Sequence, residues 1–440
     1  MSGWMVRTRA IYLRGRPTRD SIRPGDGCYT TYHGSLLPRH CGGEGPGMRG
    51  PCLRCRADLC RPQRLANVAT FARRWIPRAF HALASVATLR TLRCLVWAAM
   101  LMLASSADAQ TPAETAVESS SANIGETVSR DVHEIYAKGL GFLAQTQNER
   151  GTWPAGEGTG PGTTGLAVLA FLASGEDPNF GPHRDVIRKG LRHIIAGQSA
   201  VTGYISPSMY HHGFGMLALC EAYGVVDDSD LYSADESEAR RSLAEATELA
   251  VRAALTAQKN NRRGGWRYAP NASDADTSVS GAVVMGLLAA RNAGIEVPDE
   301  SIDKAIDYFV SMTAEDGTVG YASVSEGGGE SVARSSIVNL VLAIARRKDL
   351  PAYPSTLRYI VGNRDAQPTW PEYARYYQAQ AYFQSDVAVW KQWNDRLVQQ
   401  LKRDQKSDGS FDGDLGVTNS TSMSLLAIAL NYRFLPIYER

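Results

Sequence analysis

Beyond residue 109 the 440-residue sequence holds a single cysteine, Cys220; the other six, at 28, 41, 52, 55, 60 and 94, all precede that point. An internal disulfide is thereby excluded for the later part, and Cys220, inside "GMLALCEAYG", reads as a small buried apolar residue. Lysine is missing from the first 109 residues, which carry 17 Arg against 5 acidic residues, while the remainder has 30 basic and 40 acidic side chains. The formal total of +2 hides this split. An acidic folded part argues against nucleic acid as a partner. Glycine patterns of the Rossmann or P-loop kind are absent from the sequence.

Residues 1–89 are rich in Gly, Pro and Arg, show no sustained hydrophobic period, and read as a disordered basic leader. "CLRC" at 52–55 offers half a zinc site with no second pair at ligand spacing, so no metal is expected. Residues 90–109, "RTLRCLVWAAMLMLASSADA", place two Arg before a short apolar core and end in Ala107-Asp108-Ala109, a small-x-small cleavage pattern. This predicts a signal peptide cut before Gln110 and a secreted or periplasmic protein. A retained anchor is the alternative, but the core falls short of the ~20 residues of a membrane span, so no stable span is expected after cleavage. So long an extension ahead of a signal is unusual, and it leads us to expect a translation start downstream, with residues 1 to about 67 outside the natural protein. Residues 110–130 read as a linker and 131–436 as one folded domain.

That domain repeats itself. The turns "GTW" at 151–153, "GYI" at 203–205, "GGW" at 264–266, "GTVGY" at 317–321, "PTW" at 368–370 and "GSF" at 409–411 each separate an amphipathic helix from an apolar one. In "SIDKAIDYFV" Ile302, Ala305, Ile306, Phe309 and Val310 share one face while Asp303, Lys304 and Asp307 point away, so this helix has a wet side and belongs outside. "GLAVLAFLA", "GAVVMGLLAA" and "SLLAIAL" keep no polar stripe, and belong inside. Six outer and six inner helices in alternation predict an all-α fold, an (α/α)6 toroid whose inner ring surrounds a central cavity. An open superhelix is the alternative; it would need polar capping repeats, which the chain lacks.

"KGLGFLAQTQNERGTW" matches the QW motif at Lys138, Gly139, Phe142, Leu143, Gln147, Gly151 and Trp153. "LKRDQKSDGSF" repeats its core with Gln405, Gly409 and Phe411, and "LTAQKNNRRGGW" with a longer gap between Gln258 and Gly265. Through these repeats the chain resembles the terpene cyclase and protein prenyltransferase superfamily, which includes squalene-hopene cyclases, class II diterpene cyclases and prenyltransferase β-subunits. The resemblance implies a single toroid, an isoprenoid in its cavity, and a bracing role between helix pairs for Gln147, Trp153, Gln258, Trp266, Gln405 and Phe411. Its catalytic motifs are degenerate here. Such cyclases carry a D-x-D-D-T element whose middle Asp protonates an alkene. "DADTS" at 274–278 is an incomplete version: matched from the first Asp it puts Asp276 at the acid position, with Asp274 setting its proton affinity, and matched on the Thr it puts Ala275 there. The zinc route of the prenyltransferases lacks its Cys and His, so no metal or other cofactor is expected. "GGGES" at 327–331 lacks the Cys that a thioester needs.

The two aspartates have a second reading as caps, since small polar residues precede nearly every inner helix and satisfy its first N–H groups. Alternation also makes all six inner helices run the same way, so that their N-termini ring one electropositive mouth. Tyr210, His211, Arg267, Tyr268, Tyr321, Arg334 and Tyr376 stand near those N-termini and are the candidate ligand contacts. "VVDDSD" at 225–230 falls at the opposite mouth and reads as a solvated loop. The leading expectation is an exported protein, prenyltransferase- or squalene cyclase-like, that binds an isoprenoid or another anionic-headed ligand. One alternative is a polysaccharide lyase or glycoside hydrolase-like toroid acting on an acidic glycan, with Tyr or His taking a proton while Arg neutralises the carboxylate. Another is a non-catalytic scaffold holding a protein partner on its rim.

Overall fold

The computed structural model describes residues 128–153, 160–232, 241–326 and 331–438. The basic leader, the signal segment and the "CLRC" cysteines lie outside the described residues. Among the described residues there are twelve α-helices: α1 Arg130–Thr146, α2 Pro161–Leu172, α3 Arg184–Ala196, α4 Met209–Ala222, α5 Leu243–Asn260, α6 Thr277–Asn292, α7 Asp299–Ser311, α8 Ser331–Ile344, α9 Ala352–Gly362, α10 Pro371–Ser385, α11 Val387–Asp404 and α12 Val417–Ile428. Their β pairing is limited to two isolated bridges, Gln198 with Ile205 and Thr313 with Val319. No helix among them is long and apolar enough to cross a membrane.

The even-numbered helices form the inner ring. Each packs on the next, and α12 returns to α2; outside them α11 meets α1. The ring is closed, which excludes the open superhelix. Burial follows the sequence pattern. Every residue of α2 is buried, whereas in α7 Ile302, Ala305, Ile306 and Phe309 face inward and Asp303, Lys304 and Asp307 face water. Val310, expected on the buried face, is only partly covered. Small residues let the inner helices approach backbone to backbone. A Cβ on Gly213 of α4 would stand 2.7 Å from the carbonyl carbon of Ala282 in α6, and one on Gly165 of α2 would stand 2.6 Å from the Phe214 carbonyl oxygen.

One hydrogen-bonded clasp recurs between consecutive outer helices. The Gln147 side-chain amide donates to the carbonyls of Gly151 in its own turn and of Val186 in α3 (3.2 and 2.9 Å). Gln198 donates in the same way to Gly203 and Ala246 (3.1 and 2.8 Å), Gln258 to Gly264 and Ser301 (2.7 and 2.8 Å), and Gln405 to Gly409 and Ile135 (3.0 and 2.9 Å). The last of these ties the end of α11 to α1. Trp153 and Trp266, both fully buried, add Nε1 donations to the Leu143 and Ala254 carbonyls at 2.6 and 2.9 Å. Phe411 takes the same place in the last turn, buried but without such a donor.

The turn glycine is required twice over. Gly409 has φ +91°, and a Cβ there would lie 2.1 Å from the Lys138 carbonyl oxygen at the ring's closing seam. Replacing Gly409 by Ala should therefore lower the unfolding free energy by more than about 2 kcal/mol in urea titrations, through backbone strain and displacement of α1. The same change at Gly362, where an added Cβ meets nothing within 4 Å, should leave stability within about 1 kcal/mol of wild type. Equal effects at the two positions would remove the seam from the account of stability.

Candidate functional site

A cavity of about 490 Å³ sits inside the inner ring, and all six inner helices contribute to its wall. Its lining comes from the helix starts and their first two turns, so the six N-termini do surround one mouth. Leu166 of α2, Phe214 of α4 and Met423 of α12 give it an apolar interior. Tyr376 and Tyr377 of α10 close the space beneath, with ring centroids 4.8 Å apart and Tyr376 set edge-on against Phe214 at 6.3 Å. The far end of the ring is covered by the C-terminal segment. Leu435, Ile437 and Tyr438 are buried there, the Ile437 N–H donates to the Glu221 carboxylate at 3.4 Å, and Gln384 donates to the Tyr438 carbonyl. Burial raises the Glu221 pKa to about 8, the Ile437 N–H acting against it.

The mouth is polar. His211 lines it, and its Nδ1 accepts the Gly162 N–H at 3.1 Å, so the proton of the neutral ring sits on Nε2. Burial lowers its pKa, and the Gly162 N–H at Nδ1 leaves Nε2–H as the donor this imidazole offers. Gly160 and Gly162 admit the ring; a Cβ at either would stand 2.9 Å from an atom of His211. The neighbouring His212 is structural: fully buried, it accepts the Ile205 N–H on Nδ1 and faces the Ala250 carbonyl with Nε2, and burial lowers its pKa to about 4. Arg334 of α8 also lines the cavity, with its guanidinium held by the carbonyls of Val319 and Glu326 (2.8 and 3.1 Å). In the loops ahead of α6 and α8 the Tyr268 and Tyr321 hydroxyls hydrogen-bond at 2.7 Å.

The aspartates sit behind that tyrosine pair. Asp276 is the N-cap of α6, its Oδ1 accepting the Val279 N–H at 2.8 Å, and it has no exposed surface. Its Oδ2 has no hydrogen-bond partner; Arg267 Nε stands 3.7 Å away and shares itself with Asp274 at the same distance. Arg267 is also held over the rings of Tyr268 and Tyr321, 5.5 and 5.2 Å from their centroids. Burial raises the Asp276 pKa to about 6; the N–H of Val279, Arg267 and the N–H of Ser278 pull it down, and Asp274 pushes it up. Asp274 is exposed at the rim, and its backbone carbonyl accepts from Asn261.

Of the candidate contacts, Tyr210, His211, Tyr268, Tyr321 and Arg334 line the cavity. Tyr376, Arg267, Asp274 and Asp276 do not. Tyr376 lies one helical turn deeper than Tyr373, which takes its place on the wall, and Arg267 is turned away by its two carboxylates. The apolar wall escaped the sequence reading, although Leu166, Phe214 and Met423 sit only one turn beyond the N-terminal positions that were weighed. Several polar atoms near the cavity lack partners: the hydroxyls of Tyr373 and Tyr377 and the Asn419 Oδ1.

The Asp276 environment has a definite consequence for stability. A carboxyl whose native pKa exceeds its unfolded value destabilises the fold once the unfolded chain ionises, so stability falls as pH rises from about 4 to about 6. Asp276→Asn keeps a good capping side chain and removes that cost. Its unfolding free energy at pH 7.5 should exceed wild type by on the order of 2 kcal/mol, and the difference should vanish below pH 4. A variant less stable than wild type at pH 7.5 would mean that the Arg267 attraction outweighs burial.

Among solved structures the chain is similar to a variant of the type II terpene cyclase MstE from Scytonema in complex with geranylgeranyl dihydroxybenzoate, at 13% identity and TM-score 0.46 over 69% of this chain and 98% of that one. A second variant with the same substrate aligns at 13% identity and TM-score 0.47, and one in complex with the product merosterolic acid A at 13% and 0.46, both over 69% of this chain and 98% of theirs. At this level the alignments leave ligand and chemistry to be read from this chain's own residues. Comparison with curated protein sequences gives no match. The profile of a domain of unknown function, DUF6288, matches residues 132–356, from α1 into α9 and more than half of the chain. The chain belongs to the DUF6288 family.

Proposed function

We propose that the chain is an exported protein that binds an amphiphilic, isoprenoid-like molecule in the central cavity, with its hydrocarbon on the apolar wall and its anionic or polar head at the mouth. The distribution of chemistry along the cavity carries this reading: Leu166, Phe214 and Met423 inside, His211, Arg334, Tyr268 and Tyr321 at the opening. A volume of about 490 Å³ is within the ~300–1,000 Å³ range of small-molecule sites. An acidic glycan would need polar partners along its length, which the apolar wall does not offer.

A catalytic extension gives Asp276 the role of acid, with Asp274 setting its proton affinity. What favours it is a buried carboxyl with pKa about 6 and one oxygen without a partner. Ser278 and the tyrosines, not Asp276, form the wall, so binding is the primary claim and turnover the secondary one.

Thermal shift with geranylgeranyl diphosphate tests the binding claim. At about 100 times Kd the ligand should add ~2.7 kcal/mol and raise the melting midpoint by about 5 °C. Leu166→Trp, which fills the apolar wall, should abolish the shift. An oligouronate should give none; a shift with the oligouronate alone would favour the glycan reading, and no shift with either ligand would favour the scaffold. If Asp276 is the acid, Asp276→Asn should keep the binding shift and lose all product; unchanged product formation would assign it to capping alone.

A further inference from the structure

The outer wall of the ring holds a second pocket, of about 140 Å³, between the loop at 363–370, α10 and α11. Three arginines from these three elements border it: Arg364, Arg375 and Arg396. One carboxylate lies within 4 Å of two of them. Asp365 lies 3.7 Å from Arg364 Nε and 3.6 Å from Arg396 Nη1, and it is 79% exposed, so water screens much of its charge.

Arg375 is the informative one. It is half-buried in α10, and among the described residues it has no hydrogen bond or ion pair. Burial lowers its proton affinity, while Asp404 and Glu372 act on it only at longer range. A guanidinium drawn from water is normally paired with an oxyanion, which it meets through two parallel donors. Gln378 and Gln400 add neutral amides to the wall, and the Trp393 ring backs the pocket. Among the residues that border the pocket three guanidiniums stand against one carboxylate, Asp404 and Glu372 acting on Arg375 from outside it, around a space sized for a small ion. Helix α10 serves both cavities from different faces: Tyr373 on the central one, Arg375 and Gln378 on this one.

We propose that this pocket binds a dianionic oxyanion, either phosphate itself or the head of a phosphate monoester. The experiment is isothermal titration of the full chain with inorganic phosphate, with acetate as the monoanion control at matched ionic strength. Wild type should show saturable one-to-one phosphate binding, and Arg375→Gln and Arg396→Gln should each weaken it at least tenfold. Arg396 is exposed, so its variant decides the matter if Arg375→Gln fails to fold. Phosphoethanolamine identifies the source: tighter binding than phosphate points to an ester head, weaker or equal binding to the free ion. Phosphate binding no tighter than acetate, or binding that survives both arginine changes and is lost in His211→Phe, overturns the proposal. The last result would move the ion to the central mouth.

Discussion

Ring closure depends on a glutamine amide that cannot be satisfied within its own helix. Each clasp glutamine stands at or just past the end of an outer helix and bonds two carbonyls, one in the turn that follows and one in the next outer helix. A buried amide left without these acceptors, and two carbonyls left without a donor, would each cost on the order of 1–3 kcal/mol. At these four junctions the geometry is therefore fixed between neighbours, and Gln405 to Ile135 carries it from the last pair back to the first. The turn glycines belong to the same device, since each brings its backbone against a carbonyl of the following outer helix. In the fourth repeat Thr313 stands where the glutamine would be and bonds only its own helix, at the Phe309 carbonyl, yet Gly317 keeps its close approach to Ser355.

Once the outer helices are set at fixed steps, the inner ones inherit a common direction, and the cavity follows from that. Six helix starts converge on one mouth, while the C-terminal segment and the Tyr376–Tyr377 pair fill the space behind. The polar and apolar parts of the site are separated along the inner helix axes by about one turn. This separation, more than any single side chain, gives the cavity its amphiphilic character.

Much of this was legible in the sequence because period and composition report burial directly. The wet stripe of α7 and the apolar girth of α2 and α6 assign outside and inside without tertiary information. Gln198 was missed for a local reason: Ile205 stands where Trp153 and Trp266 mark the other turns. Tyr376 was misplaced because proximity in sequence to a helix start does not say which turn reaches the cavity; Tyr373 does, and Tyr376 lies beneath it. Asp276 was legible as a residue with two readings, of which the structure shows the capping one. The capping oxygen is Oδ1, and the burial that capping imposes is what leaves Oδ2 unpartnered. The charge state of His211 could not be read from sequence, since it depends on the Gly162 N–H reaching Nδ1 from another helix pair.

The most direct measurement is a crystal structure of the full chain with geranylgeranyl diphosphate. The account predicts density for the hydrocarbon between Phe214 and Met423, with the diphosphate within hydrogen-bonding reach of His211 Nε2 or Arg334. An inner ring found open between α12 and α2, or a ligand seated anywhere but this cavity, would contradict it.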